Sequence, residues 1–151
     1  MSEKLLISAC LLGDPVRYDG KSKPIAELDW LKQLQQAQRL FVICPEVVGG
    51  LPTPRPPAER VADKVMTESG IDVTEPFQHG AEKALRVCLQ NDIKYALLKA
   101  NSPSCGNQQI YNGEFQGKLV QGMGLTAELL TSKGIEVFSE LQLDQLKTKL
   151  A

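Results

Sequence analysis

Residues 5–10 read Leu-Leu-Ile-Ser-Ala-Cys, and three similar short apolar runs follow at residues 40–44, 95–98 and 136–138 with its flanks. Within each run the apolar residues are continuous rather than alternating. This pattern is typical of strands that are buried on both faces, as in a parallel sheet. The four runs therefore predict four central strands.

Helical patterns separate these predicted strands. Pro24 lies near a helix start, and an apolar stripe then recurs at three-residue steps through Ile25, Leu28, Leu31 and Leu34. The spacing predicts a first helix between the first two strands.

Two further helices are predicted later in the chain. The second begins near Phe77, and its apolar residues recur at helical spacing through Ala81, Ala84, Leu85, Cys88 and Leu89. The third runs from about Leu125 to Ser132, with Lys133 near its negative end and Gly134 as a left-handed stop.

Strands that alternate with helices predict parallel pairing through right-handed crossovers. The fold class that we expect is therefore a Rossmann-like α/β protein, a three-layer α/β/α sandwich with a short, mostly parallel sheet. A chain of 151 residues is the usual length of one domain. We expect a single α/β domain over residues 1–151.

Two segments interrupt the alternation. Residues 45–59 hold five prolines and two glycines, which predicts an ordered loop rather than a helix or central strand. Residues 101–124 hold a second loop, in which Asn112-Gly113 favours a tight hairpin turn. Residues 60–74 are ambiguous and are interpreted as a small hairpin that turns at Ser69-Gly70.

Composition excludes several classes of function. The 17 basic and 18 acidic residues nearly balance and form no block of like charge, so nucleic-acid binding is not expected. No apolar run reaches the length of a membrane span, and the N-terminus shows no signal-peptide pattern. We expect a soluble, cytoplasmic protein, and the oligomeric state stays open.

Three of the four cysteines lie at or just beyond predicted strand ends. Cys10 and Cys44 close the first two strands, and Cys105 follows the third by a short loop. The carboxyl ends of parallel strands meet at one crevice, so we expect these thiols to converge as ligands of one metal centre. The alternative for each is a small buried hydrophobe. Cys88 fits that alternative, because it lies on the apolar face of the second helix.

The ligand set restricts the metal. Three thiolates suit zinc, copper(I) or an iron-sulfur cluster. A structural zinc site usually has a fourth Cys or His, often in Cys-x-x-Cys pairs, but no such pair occurs and the single histidine, His79, is predicted to face solvent. A cubane cluster held by three cysteines leaves one iron free to act as a Lewis acid.

Polar residues accompany the cysteines. Glu46 follows Cys44 in Cys-Pro-Glu and is a candidate for proton transfer near neutral pH. Its alternative is a loop carboxylate that only pairs with Arg55 or Lys99. Ser102 could offer its hydroxyl to a bound ligand.

Other polar residues have weaker functional interpretations. Ser104 is interpreted as a cap of the turn before Cys105. Arg17 and Asp19 either lock the loop after the first strand or contact a substrate. Residues 117–122 lack the Lys and Ser or Thr of a phosphate-binding loop, and no Gly-x-Gly-x-x-Gly follows the first strand, so a dinucleotide cofactor is not expected.

Longer motifs resemble a known family, the short, single-domain thiouracil desulfidases, long catalogued as a bacterial domain of unknown function. The likeness runs nearly end to end. It is carried by Ile-Ser-Ala-Cys-Leu-Leu-Gly (7–13), Val-Arg-Tyr-Asp-Gly (16–20), Cys-Pro-Glu-Val-Val-Gly-Gly-Leu-Pro-Thr-Pro-Arg (44–55), Leu-Lys-Ala-Asn-Ser-Pro-Ser-Cys-Gly (98–106) and Ile-Tyr-Asn-Gly-Glu-Phe (110–115).

This resemblance implies a [4Fe-4S] cluster on Cys10, Cys44 and Cys105, with one open iron and with Glu46 and Ser102 as the catalytic pair. It also implies removal of sulfur from a thiolated pyrimidine such as 4-thiouracil, giving uracil and sulfide without net electron transfer. Two alternatives stay open: a thiolated nucleoside or tRNA fragment as substrate, and a non-catalytic zinc- or cluster-binding module that senses or stores metal or sulfur.

Overall fold

The computed structural model describes residues 3–13, 17–21 and 28–150. In chain order its elements are β1 (Leu5–Ser8), α1 (Leu28–Gln36), β2 (Leu40–Ile43), α2 (Pro45–Val48), β3 (Ala58–Val61), β4 (Lys64–Thr67), α3 (Thr74–Asn91), β5 (Tyr95–Leu98), β6 (Gln109–Tyr111), β7 (Leu119–Gln121), α4 (Leu125–Ser132), β8 (Glu136–Ser139) and α5 (Leu143–Leu150). Two short 3-10 turns, Ala9–Leu12 and Glu140–Gln142, follow β1 and β8.

The central sheet has the strand order β2-β1-β5-β8, and every pair in it is parallel. Leu5 of β1 aligns with Leu40 on one side and Tyr95 on the other, and Tyr95 aligns with Glu136. Because the strands start in step and are equally short, their carboxyl ends meet at one edge. The predicted parallel sheet is confirmed, although the first strand ends at Ser8 rather than continuing to Cys10.

Helices cover both faces of this sheet. Leu5 and Ile7 pack on the side of α1 and α5, in a core with Leu31 and Leu146. The other face packs against α3 and α4, in a core formed by Leu6, Ile43, Ala84, Cys88, Ile93, Ala96, Leu98, Cys105, Ala127, Leu130 and Ile135. A buried leucine or isoleucine contributes about 1.5–3 kcal/mol, so the two cores hold the three layers together. The predicted sandwich is confirmed.

The order of the strands reverses between β1 and β5. From β1 the chain passes through α1 to β2 on one side, and then returns through α3 to β5 on the other side of β1. The connection after β1 runs through α1 on one face of the sheet, and the connection after β5 runs through α4 on the other face. This divergence opens a crevice beyond the ends of these two strands.

Two antiparallel hairpins lie outside the main sheet. Strands β3 and β4 join at residues 62–63. The predicted turn at Ser69-Gly70 is also present, directly after β4: the N–H of Gly70 donates to the carbonyl oxygen of Thr67 at 3.0 Å, and Met66 forms an antiparallel bridge with Asp72. Strands β6 and β7 pair from Tyr111 with Leu119, so the loop between them spans residues 112–118 instead of forming a tight two-residue turn. The longer loop closes through the N–H of Asn112, which donates to the carbonyl oxygen of Lys118 at 3.0 Å.

Sequence analysis also missed two helices. The predicted loop at residues 45–59 begins with α2, where Pro45 takes the first helical position and needs no N–H partner. Helix α5 buries Leu146 and Leu150, and the spacing of Leu143, Leu146 and Leu150 could have revealed it. The predicted helix start at Pro24 and the stripe residue Ile25 lie outside the described residues.

None of the helices in residues 3–13, 17–21 and 28–150 combines the length and the apolar character that crossing a membrane would require.

Two glycines bring α2 and α3 into backbone contact. A Cβ atom added at Gly80 would lie 1.9 Å from the carbonyl oxygen of Pro45, and one added at Gly49 would lie 2.1 Å from that of Pro76. Neither distance leaves room for a side chain. The close approach fixes the Cys44-Pro45-Glu46 turn against α3.

The variant Gly80→Ala tests this contact. In an open helix the change would stabilise the protein by roughly 1 kcal/mol, but the clash with Pro45 should instead lower the free energy of unfolding by about 1–3 kcal/mol. Thermal unfolding followed by circular dichroism measures the effect. His79→Ala, at the exposed neighbouring position, is the control and should change stability little. A Gly80→Ala protein as stable as the parent would contradict the account.

Candidate metal centre

The three predicted thiols line one small cavity beyond the strand ends. Cys10 lies in the 3-10 turn after β1, Cys44 immediately precedes α2, and Cys105 lies in the turn after β5. The cavity also contacts Ser8 and Glu46. The structure therefore brings Cys10, Cys44 and Cys105 together in the crevice where the strand order reverses.

Within the described part of the chain, no three His, Cys, Asp or Glu side chains are grouped as ligands of one metal ion. A cubane cluster binds each cysteine through a different iron, so its thiolates stand further apart than the ligands of one ion. The missing single-ion grouping does not count against a cluster.

Burial controls the ionisation of these thiols. Desolvation raises the pKa of Cys10 to about 11 and that of Cys105 to about 12, and it also raises the pKa of Cys44. Lys99 and Arg17 oppose the shift at Cys10. Thiols with such pKa values keep their protons at neutral pH and are poor nucleophiles by themselves. A soft metal that binds these thiols displaces their protons, so metal binding here releases protons.

Ser8 is a neighbour of the thiols that sequence analysis missed. It is buried at the end of β1, and its hydroxyl donates to Sγ of Cys105 at 3.6 Å. The same oxygen accepts the N–H of Lys99 at 3.1 Å, which ties β1 to β5 at the crevice. A polar residue inside the apolar run at 5–10 was the available signal, because a buried hydroxyl needs a hydrogen-bond partner.

Cys88 lies apart from these thiols. It is buried on α3 in the core between that helix and the sheet. Burial raises its pKa to about 11, with no contribution from another cysteine, whereas Cys105 interacts electrostatically with Cys44 and Cys10. This placement agrees with the interpretation of Cys88 as a core residue.

A larger cavity of about 430 Å³ opens beside the thiol cavity. Its walls include aromatic side chains from Tyr18, Tyr111 and Phe115. Four residues line both cavities and so mark the junction between them: Arg17, Glu46, Lys99 and Ser102. Both members of the predicted catalytic pair lie at this junction.

Glu46 is held at the junction by a buried arginine. Arg55 donates from Nε to the Oε1 atom of Glu46 at 3.2 Å, and from Nη1 to the carbonyl oxygen of Pro52 and to Oγ1 of Thr53, each at 3.1 Å. Desolvation raises the pKa of Glu46, and the charge of Arg55 partly opposes that shift. The predicted ion pair with Arg55 is present, while Lys99 pairs with Glu140 instead.

Ser102 organises the turn that carries Cys105. Its Oγ atom accepts the N–H of Cys105 at 2.6 Å and that of Ser104 at 3.2 Å. With both lone pairs engaged, the hydroxyl has its proton left to donate. The predicted capping role of Ser104 is wrong, because its hydroxyl bonds to Oγ1 of Thr126 at 2.8 Å in the interior.

The loop after the first strand is stabilised as predicted, whereas contact of Arg17 or Asp19 with a substrate stays a prediction. Asp19 accepts the N–H of Lys21 at 2.9 Å and lies 4.0 Å from Nη1 of Arg17, so it stabilises the turn. Arg17 also lines both cavities. His79 is exposed on α3, as predicted.

Comparison with known proteins identifies a matching family, a similar protein and a similar solved structure, each over most of the chain. Residues 5–142 match a protein family described as 2-thiouracil desulfurase. The uncharacterized protein YbbK of Bacillus subtilis (strain 168) is 39% identical over 152 residues, covering 94% of this chain and 99% of YbbK. A solved structure of the [4Fe-4S]-dependent thiouracil desulfidase TudS is 57% identical, with a TM-score of 0.95 over 98% of this chain and 97% of TudS.

The choice of cysteines can be tested with single variants. After anaerobic reconstitution with iron and sulfide, Cys88→Ala should bind as much iron as the parent protein, because its side chain lies in the core. Cys105→Ala should bind far less, because the change removes one of the three thiols that line the cavity. Iron and acid-labile sulfide are measured chemically in both. Loss of iron from Cys88→Ala, with normal iron content in Cys105→Ala, would contradict the assignment of Cys10, Cys44 and Cys105 as ligands.

Proposed function

This chain belongs to the 2-thiouracil desulfurase family, and we propose that Cys10, Cys44 and Cys105 hold its [4Fe-4S] cluster while Glu46 and Ser102 act on the substrate. The family predicted from the motifs is thus confirmed. The protein is an iron-sulfur-dependent desulfidase that removes sulfur from a thiouracil-type pyrimidine. The residue assignment rests on one observation: the cavity of the three thiols meets the larger cavity at Glu46 and Ser102.

The donor set fits the cluster. Three thiolates are soft ligands suited to iron-sulfur centres, and a cubane on three cysteines keeps one iron without a protein ligand. When bound, the cluster supplies a soft Lewis acid for the thione sulfur and draws electron density from the ring carbon. Cys10, Cys44 and Cys105 would hold it at the floor of the crevice.

The net reaction is a hydrolysis. Water and a thiolated pyrimidine such as 4-thiouracil give uracil and hydrogen sulfide; the carbon-sulfur bond breaks, a carbon-oxygen bond forms, and no electrons are transferred overall. The side chains at the junction therefore have to move protons and orient the substrate.

Glu46 is placed to take a proton from the attacking water. Its carboxylate lies at the junction, and the hydrogen bond from Arg55 fixes its orientation. Because Arg55 is itself anchored by Pro52 and Thr53, it cannot follow the carboxylate, so Glu46 would lose this hydrogen bond if it moved away from the junction. A fixed general base typically accelerates a reaction by about 10²–10⁴-fold.

Ser102 is placed to donate. Its oxygen already accepts two backbone N–H groups, so its proton can be directed to a nitrogen or oxygen of the heterocycle. The same two N–H groups stabilise negative charge that develops on the hydroxyl oxygen during donation. Lys99 and Arg17 also line the junction, and each lies beside a carboxylate, Glu140 and Asp19 respectively.

Reconstitution tests the proposed function. Protein purified without oxygen and loaded with iron and sulfide should be brown, should bleach the near-ultraviolet thione band of 4-thiouracil and should release sulfide. A colourless zinc protein without turnover would favour the binding module instead. Assays with the base, the nucleoside and thiolated RNA then decide which form is the substrate.

Glu46→Gln separates cluster binding from catalysis. The variant should keep its iron content but lose turnover by about 10²–10⁴-fold, because the amide cannot accept the proton. Glu68→Gln, which changes a carboxylate of the larger cavity away from the thiols, is the matched comparison and should affect turnover much less. Full activity of Glu46→Gln would remove Glu46 from the mechanism.

A further inference from the structure

We propose that Glu59 is a positioning residue for the substrate: its carboxylate fixes the loop at residues 112–118 as a wall of the larger cavity. The inference rests on the proposed function, because it takes that cavity to be the substrate site. Its consequence is that Glu59 controls how tightly substrate binds and leaves the chemical step unchanged.

One carboxylate oxygen makes both contacts. Glu59 lies on β3, is 8% exposed and itself lines the larger cavity behind the loop. Its Oε1 atom accepts the N–H of Gly113 at 2.9 Å and that of Phe115 at 3.1 Å. The partners are more than 50 positions away along the chain. Hydrogen bonds from backbone N–H groups to an ionised carboxylate are stronger than bonds between neutral groups.

The loop conformation needs such a clamp. Phe115 has a φ angle of 56°, in the left-handed region that residues other than glycine rarely adopt. Gly113 has a φ angle of 90°, and a Cβ atom added there would lie 2.5 Å from Cγ2 of Val61. Strained conformations persist where the surroundings overdetermine them. Here the surroundings are the carboxylate of Glu59 and the close approach to β3.

The strand that carries Glu59 is itself anchored. The next residue, Arg60, donates from Nη1 to the carbonyl oxygen of Met123 at 2.6 Å and forms an ion pair with Glu128 on α4. Adjacent residues of a strand point to opposite faces. Strand β3 therefore links α4 on one side to the loop on the other.

The clamped loop contributes directly to the cavity wall. Phe115 and Gly117 line it, beside Tyr111 at the start of the loop. An aromatic side chain held in place offers its face to a flat heterocycle, and its value for binding depends on being held before the substrate arrives. The thiols, Glu46 and Ser102 belong to other segments, so a loose loop leaves them in position.

Limited trypsin digestion tests the clamp without any cluster. Lys118 lies exposed in the loop, and Lys133 lies exposed after α4. In Glu59→Ala, cleavage after Lys118 should be faster by about tenfold or more, on the scale of hydrogen bonds to charged groups. Cleavage after Lys133 should be unchanged. Glu59→Gln keeps an oxygen acceptor but loses the charge, so its rate should fall between those of the parent and Glu59→Ala.

Steady-state kinetics of the reconstituted enzyme test the consequence. Glu59→Ala should raise KM by about tenfold, matching the lost hydrogen bonds, with kcat and iron content close to those of the parent. Glu59→Gln, which keeps the acceptor without the charge, should give a KM between those of the parent and Glu59→Ala. Phe115→Ala, which removes the wall residue and leaves the clamp, should also raise KM but without faster cleavage after Lys118.

The outcomes separate this inference from the proposed function. Unchanged cleavage after Lys118 in Glu59→Ala overturns the clamp, whatever the enzyme does. Faster cleavage with an unchanged KM overturns the role in substrate binding. Faster cleavage after both lysines would show that Glu59→Ala is globally unstable. In that case the KM of Phe115→Ala decides, and an unchanged value overturns the proposal. Absence of turnover in the reconstituted parent protein would instead count against the proposed function.

Discussion

The reversal of strand order between β1 and β5 is the constraint on which the site depends. Connections that leave these neighbouring strands toward opposite faces open the crevice, and three cysteines far apart in the chain reach it because each follows a strand of the same parallel sheet. The hydroxyl of Ser8 bridges β1 and β5 there, between the N–H of Lys99 and Sγ of Cys105. Without this register the thiols would lie on separate parts of the surface.

Around that crevice, the two side chains proposed to act on the substrate are held in place by neighbouring residues. Arg55 orients Glu46 and is itself fixed by the proline-rich loop. The backbone N–H of Cys105 donates to Ser102, so the proposed catalytic serine also shapes the turn of a proposed cluster ligand. The contact between Gly80 and Pro45 sets the turn that bears both Cys44 and Glu46. The same contacts therefore hold both the proposed cluster ligands and the side chains proposed to transfer protons.

The sequence was sufficient for the sheet, because short, continuous apolar runs such as residues 5–10 and 95–98 are typical of strands buried on both faces. It was also sufficient for the convergence of the thiols, which follows from parallel pairing. It identified Arg55 as a partner of Glu46, but it did not identify Ser8 or Glu59 as supports, since hydrogen bonds between distant segments leave no local pattern. The turn at Asn112-Gly113 was mispredicted for a similar reason: the pair favours a tight turn locally, but a carboxylate on β3 binds the backbone there and stabilises a longer loop. Local propensity gave way to tertiary contacts.

The central claim is that Cys10, Cys44 and Cys105 bind one common cluster and leave one of its irons without a protein ligand. Anomalous diffraction at the iron absorption edge, from crystals of the anaerobically reconstituted protein, measures this directly. The account predicts one compact four-iron density in the crevice beyond β1 and β5, bonded to the sulfurs of these three cysteines and to no fourth side chain. Iron density at Cys88, or a cluster with a fourth protein ligand, would contradict it.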